Sequence, residues 1–252
     1  MLKVNDLHFA YSKNAPVLKG ASLELAQGQV GIVLGKNGSG KTTLFKNILG
    51  IEKPHKGHIT FDGENLLKMP RRERARRIAY VPQHIHFGDL TVFDSVLMGR
   101  VSYFGMKASH QDYATVEAIL RDMKLLEFAN RSAEALSGGE KQKIAIARAM
   151  AQEPKLMIFD EPTGNLDIAN EQLIIDEAKK LAREKNISIL SSLHDMNQAL
   201  AFGDKFFFIK NGVVTYAGGR EILTPEILKD TFDVNVRICE IDGQTVVLPT
   251  LK

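Results

Sequence analysis

Short apolar runs alternate with amphipathic segments along most of the chain, which predicts strands that alternate with helices. The continuous apolar runs predict strands buried on both faces, and they lie at 30–34, 78–81, 155–160 and 187–193. A helical pattern, "TLFKNILG", follows the first run, and a longer one at 170–185 follows the third. This order predicts a mostly parallel sheet.

Both ends of the chain have a different pattern. The first thirty residues alternate between apolar and polar positions, which predicts antiparallel β-structure. Asn-Gly at 211–212 and Asp-Gly at 242–243 each separate two β-like segments, as in hairpins. Between these hairpins, "TPEILKD" predicts a helix with a Thr cap and Pro at its first position.

Residues 84–135 interrupt the alternation, because they contain no strong strand pattern. Two segments there, "TVFDSVLMGR" (91–100) and "QDYATVEAILRDMKLLEFA" (111–129), have helical spacing. We therefore expect one domain over residues 1–252, with a core at about 1–83 and 143–252 and a helical lobe inserted at about 84–142.

Composition adds limits to this picture. The chain has 252 residues, 44% of them apolar and 25% charged, with a net charge of only +3, so nothing indicates a nucleic-acid partner. The densest basic run, "RRERARR" (71–77), predicts a solvated helix face. Cys239 is the single cysteine, which excludes an internal disulfide and fits a reducing compartment. No apolar window approaches the length of a membrane span, so we expect a soluble chain.

The segment "GKNGSGKT" (35–42) fits the phosphate-loop pattern, and it follows a buried strand and opens a helix. Its glycines let the backbone wrap phosphates, Lys41 offers a positive charge, and Thr42 can ligate magnesium. We expect the Lys41 side chain to face solvent. The sequence predicts an α/β fold: a P-loop NTPase core with a mostly parallel sheet, an N-terminal antiparallel β subdomain and an inserted α-helical lobe.

Polar side chains follow several of the predicted strands, where an α/β sheet places its ligand crevice. Asp160 is a candidate magnesium ligand, and Glu161 is a candidate general base. Gln83 could touch the metal or the attacking water, and His194 could hold that water. Tyr11 could stack on an adenine. For each residue alone the alternative is structural: a helix-capping acid, a packed polar group or a core aromatic.

"LSGGE" (136–140) contains the capping-box pair Ser137 and Glu140 at a predicted helix start. Capping does not explain Gly138 and Gly139, which are poor helix formers. Bare backbone N–H groups at a helix start bind phosphate, so this is a second candidate phosphate site. A metal site built from His55, His58, His84 and His86 is a weaker alternative, because nothing arranges them as a ligand set.

The order of these motifs, with "GNLD" (164–167) and "SLHD" (192–195), resembles that of the ATP-binding subunit of ATP-binding cassette transporters. The resemblance covers nearly the whole chain. It implies that ATP and Mg²⁺ are the cofactors, that Thr42, Gln83 and Asp160 surround the metal, and that Glu161, His194 and Gln83 are catalytic. The residues implied to bind ATP, besides Tyr11, are Gly35, Lys36, Asn37, Gly38, Ser39, Gly40, Lys41, Thr42 and Thr43.

In that family two ATPase subunits pair head to tail, so the resemblance implies a homodimer with ATP at its interface. Ser137, Gly138 and Gly139 of one copy would then contact the nucleotide of the other. Asp167 matches the loop through which the subunits communicate, whereas Gly164 and Asn165 depart from the commoner residues there.

"TVFDSVLMGR" and "EILTPEILKDTFDVNV" resemble the subfamily that imports iron chelates, haem, cobalamin and some oxyanions. This implies a peripheral protein on the cytoplasmic face of the membrane. Integral permease subunits would dock near residues 84–105, and a substrate-binding protein would act indirectly. The apolar candidates for docking are Ile85, Phe87, Leu90, Val92, Phe93, Val96, Leu97, Met98, Tyr103 and Phe104.

Several other classes fit less well. A DNA-repair cassette needs a long coiled coil, and translation-factor or exporter ATPases usually carry two cassettes or a fused membrane domain. P-loop kinases and GTPases lack the "LSGGE" helix. An exporter subunit, or an importer of another small solute, stays an open alternative, because the catalytic motifs do not encode direction.

Overall fold

The structure, a computed structural model that describes residues 1–164 and 166–250, has the alternating strands and helices that the apolar pattern predicts. The strands are β1 Leu2–Ser12, β2 Ala15–Leu25, β3 Val30–Leu34, β4 Lys56–Phe61, β5 Glu64–Asn65, β6 Ile78–Val81, β7 Leu156–Asp160, β8 Ser188–Ser192, β9 Lys205–Lys210, β10 Val213–Gly218, β11 Val236–Ile241 and β12 Gln244–Pro249. The helices are α1 Lys41–Leu49, α2 Arg71–Arg77, α3 Val92–Leu97, α4 His110–Asp122, α5 Gly138–Met150, α6 Ile168–Glu184, α7 Met196–Phe202 and α8 Pro225–Phe232.

The chain divides into two units, one formed by Met1–Met69 with the chain from Ala182 onward, the other by Pro70–Leu181. In the first unit, β2, β1, β4 and β5 form an antiparallel sheet in that order. A second set, β10-β9-β3-β8, has β3 between two parallel neighbours, and every residue of β3 is buried. The strands β11 and β12 form a separate antiparallel hairpin. The α/β fold and the N-terminal antiparallel sheet are confirmed.

The second unit carries the parallel pair β6–β7, in register from Ile78 opposite Leu156 to Val81 opposite Phe159. Helices α2 to α5, and α6 as far as Leu181, belong to the same unit, and α5 contributes buried Ile144, Ala145 and Ile146 to its core. The pairing of β6 with β7 brings the residues that follow these two strands to one edge. The domain limits predicted for the core and the inserted lobe stay a prediction.

Two predicted helices are shorter than expected. The chain leaves the α-helix after Leu97 and continues as a 3₁₀ turn over Met98–Ser102, where Gly99 approaches α5 so closely that a Cβ would lie 2.1 Å from the Arg148 carbonyl oxygen. The helix expected over 111–129 ends at Asp122, because Lys124 adopts a left-handed backbone with φ 57°. In the part of the chain that the structure describes, no helix has the length and apolar character needed to cross a membrane.

Candidate functional site

The predicted phosphate loop joins buried β3 to α1. Gly38 and Gly40 have φ values of 77° and 109°, which glycine adopts without strain. At Gly35 a Cβ would lie 2.3 Å from the Ile209 carbonyl oxygen, so no side chain fits there. The Ser39 hydroxyl is buried without a hydrogen-bond partner among the described residues. A loop with bare backbone and an unpaired hydroxyl fits a phosphate ligand.

Lys41 is only 5% exposed, so the expectation that it faces solvent is wrong. Its Nζ donates hydrogen bonds to the carbonyl oxygens of Gly35, at 2.8 Å, and Lys36, at 3.3 Å. The loop's own carbonyls offer acceptors that the sequence pattern does not reveal. The positive charge is therefore held inside the loop, where it is already in place for a negatively charged ligand.

Tyr11 lies on the surface of the first unit, with 55% of its area exposed. Its ring contacts the edge of the Phe9 ring, with 4.9 Å between centroids, and its hydroxyl lies 3.4 Å from Thr43 Oγ1. Thr42 is exposed, whereas Thr43 is buried. An exposed aromatic ring tied to the first turn of α1 is available for stacking, and it is not part of the core.

In the second unit, β7 ends in the buried carboxylate of Asp160, which is 3% exposed. The Tyr80 hydroxyl donates to Asp160 Oδ2 at 3.3 Å. Burial first, and then the negative charge of Asp160, raise the pKa of Tyr80, so its hydroxyl keeps the proton that it donates. The Asp160 carboxylate thus has a permanent neutral donor on the neighbouring strand.

Glu161 follows directly and has a left-handed backbone with φ 52°, a conformation that is costly for a non-glycine residue. The Gln83 side-chain amide donates a hydrogen bond to the Glu161 carboxylate. The structure therefore brings together the two side chains that the ends of β6 and β7 predicted. His194, in the first unit, is exposed just after β8, and Asp195 next to it caps α7 through the Gln198 N–H at 2.8 Å.

The predicted capping box at α5 is confirmed. The Ser137 hydroxyl accepts from the Glu140 N–H, and the Glu140 carboxylate accepts from the Ser137 N–H at 2.9 Å. Hydrogen bonds from the Ser137 side chain and then its backbone lower the pKa of Glu140. The two glycines differ in their surroundings. A Cβ on exposed Gly138 would meet only Leu166 Cδ2 at 3.6 Å, whereas one on buried Gly139 would lie 2.2 Å from Asn170 Oδ1.

Asp167 precedes α6 and binds that helix within its own chain. Its carboxylate accepts from the Asn170 N–H at 2.8 Å and from Asn170 Nδ2 at 3.0 Å. Asn170 thus connects Asp167 to the space over Gly139, a link that sequence spacing does not indicate. Gly164 lies in a turn, with its N–H 3.2 Å from the Glu161 carbonyl oxygen. Asn165, which departs from the commoner residue of this loop, lies outside the described residues.

Among residues 1–164 and 166–250, no group of three or more His, Cys, Asp and Glu side chains is arranged to hold a metal ion. This finding includes His55, His58, His84 and His86, so the histidine metal site is wrong. The hydroxyl of Thr42, the amide of Gln83 and the carboxylate of Asp160 are oxygen donors, the kind that Mg²⁺ prefers. In the second unit, Gln83 and Asp160 come from the ends of the paired strands β6 and β7; Thr42 belongs to the first unit, where it follows Lys41 of the phosphate loop.

The basic helix 71–77 differs from its prediction. No residue of α2 is fully buried, as expected, but the guanidinium groups of Arg72 and Arg76 donate to main-chain carbonyls of Ser102 and Phe104. The run of charges at 71–77 does not indicate these acceptors, because they lie some thirty residues further along the chain.

The sequence model of the ABC transporter family matches residues 18–164. The chain therefore belongs to this family, and it is an ATP-binding subunit with ATPase activity. An uncharacterized ABC transporter ATP-binding protein of Methanocaldococcus jannaschii is 38% identical over 249 residues, which are 99% of this chain and 98% of the relative. A phosphonates import ATP-binding protein of Synechococcus sp. is 33% identical over 92% of this chain and 90% of its own. The iron(3+)-hydroxamate import ATP-binding protein of Bacillus subtilis is 32% identical over 94% and 89%.

Solved structures agree with this assignment. An inward-facing ABC transporter assigned to the metal-chelate type contains a chain that is 31% identical, with a TM-score of 0.86 over 100% of this chain and 98% of that one. A dimeric ATP-binding cassette in a post-hydrolysis state, bound to ADP and phosphate, is 28% identical, with a TM-score of 0.77 over 87% and 98%. The predicted family and fold are confirmed.

Proposed function

We propose that this chain powers the uptake of a metal chelate, such as an iron–siderophore complex, haem or cobalamin, through a separate permease. The observation that carries the proposal is its full-length likeness to the ATPase chain of a metal-chelate type transporter. The iron-hydroxamate import relative, which matches 94% of this chain, supports the same substrate class. The chain would lie on the cytoplasmic face of the membrane, held there by the permease.

Hydrolysis is assigned to Glu161, with Gln83 as its positioning partner. A carboxylate at a strand end can accept a proton from an attacking water, which makes the water a better nucleophile. The Gln83 amide fixes the carboxylate by hydrogen bonding without adding a charge. His194, exposed after β8, would hold the same water, and Tyr11 would stack on the adenine.

Phosphate binding is assigned to Gly35–Thr43, where Lys41 and Ser39 supply donors inside a loop that has no room for side chains at Gly35. Thr42, Gln83 and Asp160 would hold Mg²⁺, with Asp160 oriented by the Tyr80 hydroxyl. The bound ion would neutralise charge on the phosphate oxygens during transfer.

The working form is assigned as a head-to-tail homodimer, in keeping with the dimeric cassette bound to ADP and phosphate. Ser137 and Gly138 are exposed at the start of α5, where they can reach a second copy. Glu140 keeps the backbone of Ser137 in place through the capping box. Gly139 is covered by Asn170 of its own chain, so it would shape this helix start and leave the direct contact to its neighbours.

The permease would dock on the exposed apolar side chains between residues 84 and 106. Phe87, Val92 and Val96 are buried and belong to the core of the second unit. Leu90 and Met98 from the predicted set are exposed, together with Val101 and Met106, which were not in that set. Exposed apolar side chains in one short segment are typical of a protein-binding surface.

An importer of another small solute is the second candidate, because the phosphonates import relative matches this chain as well as the iron-hydroxamate one. The two are separated by purifying the chain with its permease from the native membrane and reconstituting the complex in vesicles. We expect ATP-driven uptake of ferric hydroxamate, haem or cobalamin, and none of methylphosphonate. Uptake of methylphosphonate alone would contradict the proposed substrate, and ATP-driven export from inverted vesicles would contradict import.

A further inference from the structure

We propose that Arg72 and Arg76 of α2 are positioning residues that connect Gln83 to the exposed segment Met98–Met106, independently of the chain between them. The inference rests on the proposed docking of a permease at this segment. It adds a second mechanical route, besides the chain itself, from Gln83, a proposed Mg²⁺ ligand, to the membrane partner.

Helix α2 holds the segment Met98–Met106 through hydrogen bonds from two of its arginines. Arg72 Nε donates to the Ser102 carbonyl oxygen at 2.6 Å, and Arg72 Nη2 donates to the Phe104 carbonyl oxygen. Arg76 donates to the same Ser102 oxygen from two nitrogens, at 3.0 and 2.8 Å. Hydrogen bonds from a charged donor are among the stronger ones in proteins, so these two arginines hold the main chain firmly.

Tyr103 reinforces this grip through its ring. The guanidinium of Arg76 lies 4.5 Å from the ring centroid, and that of Arg100 lies 3.7 Å from it. The Tyr103 hydroxyl donates to the Gln152 carbonyl oxygen at 2.9 Å. Because the ring contacts Arg76 of α2 as well as Arg100, and its hydroxyl is also bonded, a displacement of α2 should be transmitted to Tyr103.

Arg100 fixes the other side of the segment. Its Nε bonds to Asp112 at 3.0 Å, and both side chains are only 5% exposed. Its Nη1 donates both to the Glu153 carboxylate at 2.8 Å and to the Ala151 carbonyl oxygen at 2.9 Å. Burial alone would lower the pKa of Arg100, but the hydrogen bonds that it donates to Glu153 and Asp112 raise its pKa overall, so the charge that holds the segment persists. The segment therefore moves as a body with the elements around it.

The other end of α2 is hydrogen-bonded to β6 and to the residue before β7. These two strands end at the edge where Gln83 meets Glu161, which we call the catalytic edge. The Ile78 N–H, at the start of β6, bonds to the Arg74 carbonyl, and the Arg77 carbonyl accepts from the Lys155 N–H at 2.9 Å. Strand β6 is four residues long and leads directly to Gln83, which bonds to Glu161. A change at Gln83 would reach α2 through this short strand.

The exposed side chains make the segment suitable for receiving that movement. Met98 is 52% exposed and Val101 48% exposed, and both lie just before Ser102, the first residue to which α2 is hydrogen-bonded. The arginines of α2 thus bond to main-chain carbonyl oxygens of the segment, so its exposed apolar side chains stay available for a partner. We infer that a permease helix docked here is moved by α2 when nucleotide alters Gln83.

The first test is amide hydrogen exchange on the isolated chain, with and without a non-hydrolysable ATP analogue. In the wild type, the analogue should change the exchange of residues 98–106. In the double variant Arg72→Ala, Arg76→Ala this response should be lost, whereas the exchange response of the phosphate loop stays. Arg71→Ala is the matched control, since it removes a charge from the exposed side of the same helix. No response in the wild type, or an equal response in the double variant, would overturn the proposal.

The second test is transport by the reconstituted complex. The double variant should keep its basal ATPase and its binding to the permease, while ATP-driven uptake falls about tenfold, a typical size for coupling between two sites. Unchanged uptake would overturn the proposal, and so would loss of permease binding, which would make the arginines part of the docking surface. If the double variant does not fold, Arg76→Lys replaces it: a lysine keeps the charge but not the paired donors, and uptake should still fall. A wild-type chain that captures no permease would contradict the proposed function instead.

Discussion

The Gln83 side-chain amide donates a hydrogen bond to the Glu161 carboxylate, although the two residues are 78 positions apart in the sequence. The contact exists because β6 and β7 pair in parallel and end at the same edge. Glu161 adopts a left-handed backbone at that edge, where strain in a non-glycine residue often marks a functional position.

Replacing Glu161 by Gln should abolish most hydrolysis and leave ATP binding intact. The amide still hydrogen-bonds but cannot accept a proton, so we expect turnover to fall by about 10²–10⁴-fold, the usual contribution of a general base. Phosphate release in the presence of Mg²⁺ measures the rate, and equilibrium binding of a fluorescent ATP analogue measures affinity. Glu184→Gln, at an exposed position on α6, is the matched control. Near-normal turnover in Glu161→Gln would mean that another group activates the water.

Replacing Lys41 by Ala should weaken ATP binding by about 2 kcal/mol, the value of a hydrogen bond to a charged group. The variant also removes the donor for the Gly35 and Lys36 carbonyls, so a modest loss of stability should accompany the loss of affinity. Isothermal titration gives the affinity, and thermal unfolding gives the stability. Lys46→Ala, near the end of the same helix, should change neither. Equal ATP affinity in both variants would remove Lys41 from the phosphate site.

Replacing Tyr11 by Ala should weaken ATP binding by about 1–3 kcal/mol, the value of a base stacked on an aromatic ring. Tyr11→Phe keeps the ring and loses only the hydroxyl near Thr43, so its affinity should stay close to that of the wild type. The comparison is made with ATP and with inorganic triphosphate, which has no base to stack. A loss of affinity for triphosphate as well would indicate a structural role.

The Arg100–Asp112 pair should make stability depend on acid pH. Hydrogen bonds from the Ser109 side chain and backbone, followed by those from Arg100, lower the pKa of Asp112. The stabilisation is therefore present above the ordinary Asp pKa of about 3.9, and it is lost as the pH falls through the lowered value. Asp112→Asn should cost about 3–5 kcal/mol at pH 7, because it leaves a buried charge poorly paired.

Urea unfolding of the wild type and Asp112→Asn at several pH values checks this. The difference between them should begin to shrink below about pH 4, where Asp112 of the unfolded chain takes up a proton, and should be lost once the pH is below the lowered pKa of Asp112 in the fold. Glu117→Gln breaks an exposed pair with Arg121 and should cost less than about 1 kcal/mol at every pH. A difference that stays constant down to the lowest pH would show that Asp112 is not ionised in the fold.

Much of the fold follows from the sequence because its strands are fully buried and therefore continuously apolar. Strands β3 and β6 begin and end where the apolar runs do, and Gly50 ends α1 as predicted. The catalytic edge was also predictable, since parallel strands bring their carboxyl ends together. The side-chain contacts with main-chain carbonyls could not be predicted. Lys41 and Arg76 both donate hydrogen bonds to main-chain carbonyl oxygens. Every residue has such an oxygen, so the sequence contains no pattern that identifies these acceptors.

In the proposed dimer ATP is held between two copies of the chain, with Ser137 of one facing the nucleotide of the other. Glu161→Gln slows hydrolysis and so should accumulate as an ATP-bound dimer. Adding Ser137→Arg places a bulky cation at the exposed start of α5 and should prevent that dimer. Adding Ser137→Ala loses the same helix cap, at a cost of about 1 kcal/mol, but leaves the space open.

The most direct measurement is therefore the molar mass of these three proteins in solution with ATP and Mg²⁺, by light scattering after gel filtration. We expect a dimer for Glu161→Gln and for its combination with Ser137→Ala, and a monomer for its combination with Ser137→Arg. A dimer in all three, with ATP bound, would contradict a nucleotide site completed by Ser137 of the second copy.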